Sequence, residues 1–423
     1  MKRPGRVFLL LLASILIQPL AVLAGEVIPG RNLDGLLEYA RGNNPDYSAM
    51  RYEAEAADER AMAAGALPDP KLRTELMNIT RSGDQNATLS PSRVGSTKYT
   101  VLQELPWFGK RDLQRKIAES EAAGMQGQVR ATWSELSTRI KSTFARLYFV
   151  QNNERLLREI LVLMQRLEKV AQVRYENGLA PQQDVIRAQV EQTAMRNELI
   201  SLDNERGRLS ATMNALLARP AQAALAGAEV LRPLPSPAAL DYSGLEERVR
   251  LRNPQLFVED AKIKSAENSR DLTYRNRYPD FMVGVSPTQV QNDVKEWAIM
   301  FEVNIPLQQA SRRGKERASE SMLSAARMRK AATENQVLGD LSANLTGIDA
   351  ARRTERLIET SLLPQAELSF RSALVGYENG KVDFATLIEA QRQILQARQN
   401  RLQAQTEARI RLADIEKLLG EEL

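Results

Sequence analysis

The feature that most constrains this chain is that it is written twice. Tyr175-Glu176-Asn177-Gly178 recurs as Tyr377-Glu378-Asn379-Gly380, and the same displacement carries Ile186 onto Ile388, Ala188 onto Ala390, Gln189 onto Gln391 and Leu216-Leu217 onto Leu418-Leu419. Asn44-Pro45 pairs with Asn253-Pro254, Pro70 with Pro279, Pro106 with Pro306, and Gly109-Lys110 with Gly314-Lys315, at slightly different offsets. The insertions that shift register fall between elements, as they do in two copies of one supersecondary unit.

Each copy shows the same order of segments. A helical segment of roughly 35 residues begins near Leu33 or Gly244 and ends at a proline. Two strand-like segments follow, about 71–81 and 96–106 or about 280–287 and 295–306, joined by turn-rich loops, Ser82 to Ser96 and Ser286 to Asp293. Then come a very long helix, about 110–175 or 315–377, a glycine turn, and a last helix of about 36 residues. At 1.5 Å per residue the long helices reach about 100 Å and the last ones about 54 Å, so one long helix equals two short ones end to end. On length, helix 183–218 with helix 244–278 could run back along helix 110–175, and helix 383–419 with helix 33–67 along helix 315–377. The implied organisation is a leader at 1–24, a first repeat at 25–218, a linker at 219–243 and a second repeat at 244–423. Pro220, Pro233, Pro235 and Pro237 make the linker an irregular collar at mid-height.

Leu157, Ile160, Met164, Leu167 and Ala171 alternate steps of three and four, and Ile388, Leu395 and Leu402 step by seven. Such stripes suit coiled-coil seams or an ordinary core; helices of this length favour the coiled coil. Trp297, Ile299, Phe301, Val303 and Ile305 alternate with Ala298, Met300, Glu302 and Asn304, the pattern of a half-buried strand about long enough to cross a bilayer at a tilt. The strand through Tyr99, Val101 and Leu105 is less regular. Four strands cannot close a barrel alone, so the fold class is mainly α with a small β part: either several chains share one barrel, or the strands cap a soluble helical bundle.

Lys2, Arg3 and Arg6 before the apolar run Val7 to Ile17, with Val22-Leu23-Ala24 after it, read as a secretory signal peptide; an uncleaved anchor is the alternative. Past it no apolar stretch approaches the roughly 18 residues of a spanning helix. The chain has no Cys and no His, which removes thiolate and imidazole metal sites, His-based triads and the cysteine of a lipoprotein signal. The formal charge of +5 includes three signal residues, and Lys and Arg are scattered among nearly as many acids, so no nucleic-acid partner is expected. No catalytic set converges, and no enzyme activity, cofactor or metal is expected.

The whole mature chain resembles the TolC family of outer-membrane efflux factors. The resemblance rests on Asn44-Pro45, Leu67-Pro68-Asp69-Pro70-Lys71-Leu72, Glu104-Leu105-Pro106-Trp107-Phe108-Gly109-Lys110-Arg111 and the paired turns Tyr175 to Gln189 and Tyr377 to Gln391. The Leu-Pro-Asp-Pro and Pro-Trp-Phe-Gly-Lys-Arg stretches are most similar to the heavy-metal branch containing CzcC and CusC. The resemblance implies a homotrimer whose strands form a 12-stranded barrel in the outer-membrane lipid of a Gram-negative bacterium, continued by an α-helical barrel into the periplasm. It also implies a hexameric periplasmic adaptor (membrane fusion protein) and an inner-membrane pump of the RND type as partners.

By the same resemblance the tip turns, Tyr175, Asn177, Gly178, Tyr377, Asn379 and Gly380, would dock the adaptor. Gly178 and Gly380 suit a tight helix end with or without one. Drug-exporting relatives carry acidic rings six and nine positions after the second-turn glycine; here those positions hold Thr386 and Glu389, and the first-turn equivalents are Asp184 and Arg187. Asp184, Thr386 and Glu389 are the candidate lumen constriction: a threefold axis would gather three copies of Glu389 into a cation-sensitive ring, although a solvated helix face also accounts for it. The expected function is a passive exit duct for small molecules or metal cations. A type I protein secretion duct and a soluble periplasmic coiled-coil scaffold are the alternatives.

Overall fold

The computed structural model describes residues 30–79, 89–91, 94–290 and 293–423; the expected signal peptide and most of the loop 82–96 lie outside them. The elements run α1 (Leu33–Asn43), α2 (Pro45–Ala64), β1 (Lys71–Met77), β2 (Ser96–Leu105), α3 (Lys110–Glu176), α4 (Gln182–Leu216), α5 (Tyr242–Arg252), α6 (Pro254–Arg275), β3 (Asp280–Val290), β4 (Asp293–Asn304), α7 (Gln309–Leu357), α8 (Leu363–Glu378) and α9 (Phe384–Leu419). A short 3-10 turn, Pro237–Leu240, interrupts the irregular collar between α4 and α5.

The segments expected as single helices at 33–67 and 244–278 are each broken in two. Pro45 and Pro254 lack an N–H and push the residue before them out of helical geometry, so Asn44 and Asn253 turn to ψ of 122° and 123°. Each Asn then works in two directions. Asn44 Oδ1 caps α2 by accepting from the Tyr47 N–H at 3.0 Å, while its Nδ2 donates to the Leu216 carbonyl at the end of α4 at 2.9 Å. Asn253 caps α6 through the N–H groups of Gln255 and Leu256, both at 2.9 Å, and donates to the Leu418 carbonyl at the end of α9 at 2.8 Å.

These joints exchange the partners expected from length. The α4 rod continues into α2, not into α5 and α6, and the α9 rod continues into α6, not into α1 and α2. The rods lie side by side in the order α4 with α2, then α3, then α9 with α6, then α7 with α8. Helix α3 is flanked on both sides, whereas α7 and α8 form one lateral edge and α4 with α2 the other.

The second long helix starts at Gln309, earlier than expected, and is not continuous. A π-helical turn, Ile358–Leu362, separates α7 from α8, one residue ahead of Pro364. Proline cannot donate to the carbonyl a turn below it, and a widened turn absorbs the mismatch. The corresponding residue of α3 is Val162, and α3 runs unbroken.

The four strands form one antiparallel sheet in sequence order, β1-β2-β3-β4. Strand β3 continues to Val290, so Ser286 to Val290, expected as loop, is strand: Ser286 pairs with Ala298, Pro287 with Trp297 and Thr288 with Glu296. Pro287 is tolerated because the β2–β3 ladder skips Ser286 and Pro287; Thr100 Oγ1 and Ser286 Oγ bridge the gap at 3.1 Å. The register gives the sheet one apolar face, Leu72, Val101, Val285, Ile299 and Phe301 among its members, and one more polar face carrying Lys98, Glu104, Thr288 and Glu302.

Two of the buried cores repeat each other. Leu36, Leu37, Ile140, Met213 and Leu217 pack at the first equatorial joint, and Leu245, Val249, Leu341, Ile415 and Leu419 at the second. Another core lies between α3, α4, α8 and α9 near the glycine turns. It contains all of Leu157, Ile160, Met164, Leu167 and Ala171. On α9, Ile388 is buried together with Phe384, Leu387, Ile394 and Ala397, whereas Leu395 and Leu402 are only half-buried, so the seven-step stripe holds at its first member alone.

Candidate functional site

Both hairpins, α3–α4 and α8–α9, reverse at the same end of the bundle through the same local chemistry. Gly178 and Gly380 hold φ of +72° and +69°, left-handed values that a Cβ disfavours. The Leu179 N–H then reaches back to the Arg174 carbonyl and the Lys381 N–H to the Gly376 carbonyl, each at 2.8 Å. These are Schellman closures that satisfy the last helical carbonyls. Asn177 and Asn379 add a side-chain tie, Nδ2 donating to the Val173 carbonyl at 2.7 Å and to the Val375 carbonyl at 2.8 Å. The duplicated Tyr-Glu-Asn-Gly is thus a helix-ending device in both copies.

The two tyrosines of that motif have opposite fates. Tyr175 stands 44% exposed, while Tyr377 is 3% exposed and packs on Phe384 with ring centroids 5.2 Å apart. Tyr377 is therefore an interior residue and not part of an exposed docking surface. Its hydroxyl donates to Asp184 Oδ2 at 3.1 Å, tying the α8 turn to the first turn of α4. Burial, then the neighbouring Asp184 carboxylate, pushes the Tyr377 phenol up to about 12.

Asp184, expected beside Thr386 and Glu389, is turned into the bundle under Tyr377, with 9% of its surface exposed. Its position after the turn puts it on the buried stripe of α4 with Ala188 and Gln192. Thr386 and Glu389 remain exposed on α9, lining a groove between α4 and α9 together with Ile186, Arg187, Val190 and Arg392. Glu389 lies 4.0 Å from Arg392, whose guanidinium also makes an ion pair with Glu191 of α4. The hydrogen bond to Glu191 holds the Arg392 guanidinium above its ordinary range.

Arg174 is a residue of the tip that sequence reasoning missed. Its guanidinium lies 5.0 Å from the Tyr377 ring centroid, and its Nη1 donates to the Glu378 carbonyl at 2.5 Å while Nη2 donates to the Leu179 carbonyl at 3.2 Å. One side chain therefore joins both turns. The available signal was a mismatch inside the duplicated motif, Val173-Arg174-Tyr175 against Val375-Gly376-Tyr377. Gly376 is small because a Cβ there would meet Val382 Cγ2 at 2.6 Å. The turns also differ at the next helix start: Asp383 caps α9 through the Thr386 N–H at 2.8 Å, whereas Pro181 opens α4 without a side-chain cap.

Among the described residues no group of three or more carboxylates is placed to hold a metal, and no helix is long and apolar enough to cross a membrane. The apolar sheet face is different: Trp297, Ile299 and Phe301 are largely exposed, Ile299 by 83%. A sheet with one exposed apolar face is thus attached to one end of a layer of rods whose two hairpins close in matching turns at the other. The chain belongs to the outer membrane efflux protein family, whose model matches residues 36–219 and 245–421, both copies of the repeat.

Among curated proteins it is similar to the cobalt-zinc-cadmium resistance protein CzcC of Cupriavidus metallidurans, 24% identical over 378 residues, 86% of this chain and 84% of CzcC. Among solved structures it is similar to the outer membrane protein VceC of Vibrio cholerae, with a TM-score of 0.79, 18% identity and coverage of 92% of this chain and 96% of VceC. CusC has a TM-score of 0.73 at 15% identity, covering 93% of each chain.

Proposed function

We propose that this protein is the passive outer-membrane exit duct of a tripartite efflux system, a homotrimer docked at its glycine turns by a periplasmic adaptor and fed by an inner-membrane pump of the RND type. The observation that carries this reading is that sheet and helical layer are open at matching edges. Among the described residues strands β1 and β4 each lack a neighbour on one side, and the rods end laterally at α4 with α2 and at α7 with α8. Those outer rods carry exposed apolar residues, Tyr52, Met62, Val190 and Ile200 on one edge and Met322, Met328, Leu368 and Val375 on the other. Copies set side by side cover both edges and pair β1 with β4, leaving no unsatisfied strand edge facing lipid.

Resemblance to the heavy-metal branch and the name of CzcC favour metal cations as cargo. A duct supplies no reaction and need not bind its cargo tightly. In this reading the contacts of Arg174, Tyr377 and Asp184 hold the tip narrow, and exposed Glu389 faces the passage. Outer-membrane fractionation with heat-modifiable trimer migration tests the assignment; a monomer in the soluble periplasm overturns it. Glu389→Gln is expected to reduce block of single-channel current by divalent cations, and unchanged block removes Glu389 from the passage.

A further inference from the structure

Where the sheet gives way to the helices, the Pro106-Trp107-Phe108-Gly109-Lys110-Arg111 segment builds a shelf. The Trp107 N–H and Lys110 Nζ both donate to Asp280 Oδ1, each at 2.8 Å, fixing the segment to the start of β3. Trp107 stacks on Tyr278 with centroids 5.1 Å apart and an interplanar angle of 10°, and lies 5.6 Å from Phe281, which is 5.7 Å from Phe301. Beside this shelf a cavity of about 610 Å³ has two kinds of wall. Leu105, Phe281 and Phe301 continue the apolar face of the sheet, while Arg111 and Arg115 of α3 stand at the other end, Arg115 paired with Asp112 at 2.7 Å and with Glu119 at 3.4 Å. Arg111 is held in place by Nε and Nη2 donating to the Gly65 carbonyl at 2.9 and 2.6 Å. Phe108, at the rim, is 81% exposed.

Aromatic side chains at a membrane boundary mark headgroup depth, and guanidinium groups match phosphate oxygens. We propose that this cavity binds the phosphate headgroup of a membrane phospholipid, with an acyl chain laid along Leu105, Phe281 and Phe301. The inference rests on the outer-membrane reading above. It adds an address: the lipid seats on the sheet-to-helix link, where it would brace α2 and α3 against the sheet.

The test uses the full-length protein purified in detergent and titrated with palmitoyl-oleoyl phosphatidylglycerol, with bound lipid counted by native mass spectrometry. One lipid per protomer is expected, and Phe108→Ala combined with Arg115→Gln is expected to weaken its retention about tenfold. Both side chains are exposed, so heat-modifiable migration should be unchanged, showing that the variant is assembled. Equal retention by the parent and the double variant overturns the proposal. Displacement of the lipid by excess sodium phosphate overturns it in favour of a free-anion site, and equal retention of dioleoylglycerol overturns it in favour of a merely apolar groove. If instead the parent protein does not fractionate with the outer membrane, it is the functional reading that fails.

Discussion

Tyr377 and Asp184, 193 positions apart in the chain, meet through a single hydrogen bond of 3.1 Å that links the second tip turn to the first. Removing the hydroxyl with Tyr377→Phe strands a buried carboxylate, a loss of about 1–3 kcal/mol concentrated at the tip. The expected outcome is faster amide hydrogen exchange through Gly178–Asp184 and α8, with larger single-channel conductance. Unchanged exchange there would show that the contact does not hold the hairpins together.

The same pair sets an alkaline limit. The folded protein keeps the Tyr377 proton up to about 12, against an ordinary 10.0, so it binds that proton more tightly than the unfolded chain does. The contribution is fully present below about pH 10 and is lost as pH rises towards about 12. Tip protection, the exchange rate set against the intrinsic base-catalysed rate at the same pH, should therefore fall over that interval in the parent protein and stay flatter in Tyr377→Phe. At the acid end, hydrogen bonds from the Thr386 side chain and then its N–H hold Asp383 below its ordinary 3.8, so the α9 cap persists until pH falls past that value.

The asparagine joints predict paired losses. Asn44→Ala and Asn253→Ala each remove an N-cap and a donor to the helix end above, costing about 1–2 kcal/mol apiece. The joints share no hydrogen-bonding partner, so the double variant should lose roughly the sum in denaturant unfolding. Asn44→Asp should recover the cap to Tyr47 but not the bond to the Leu216 carbonyl, and so fall between the two.

Gly178→Ala and Gly380→Ala should each cost about 1–2 kcal/mol, because a Cβ is strained at positive φ. Space is open around Gly178, whereas a Cβ at Gly380 meets Arg174 Nη2 at 3.4 Å. Gly380→Ala should therefore also disturb the Arg174 bridge and raise conductance more than Gly178→Ala does.

Neighbouring residues of β4 should respond in opposite ways. Ile299→Arg places a charge on the apolar face and is expected to cost about 2–4 kcal/mol if it lies near the bilayer midplane, read as loss of the heat-modifiable oligomer. Met300→Arg, on the other face, should assemble normally. Equal behaviour of the two would contradict a lipid-facing apolar side.

Much of this architecture could be read from residue order because it depends on local and periodic rules. Glycine after Tyr-Glu-Asn ends a helix wherever it occurs, strict alternation from Trp297 to Ile305 makes a strand, and duplication of Asn-Pro makes duplicated caps. These properties are set by backbone sterics and by the spacing of apolar groups. The site residues were legible to the same extent: the turns were located, but the exposure of Tyr377 and the direction of Asp184 were not. Both depend on which helices surround them, and the decisive neighbours, Arg174 and Phe384, lie outside the strictly repeated motif.

The sequence by itself determined that there are two long rods, four shorter ones and four strands, and that lengths match in pairs. Only the tertiary structure decided which rods join. Length permits α4 to meet either α2 or α6, since both short rods begin at an Asn-Pro; the choice is made where Asn44 finds the Leu216 carbonyl and Asn253 finds that of Leu418. Those contacts depend on the packed equatorial cores, because a buried amide is stabilising only when the partner carbonyl is positioned and water is excluded.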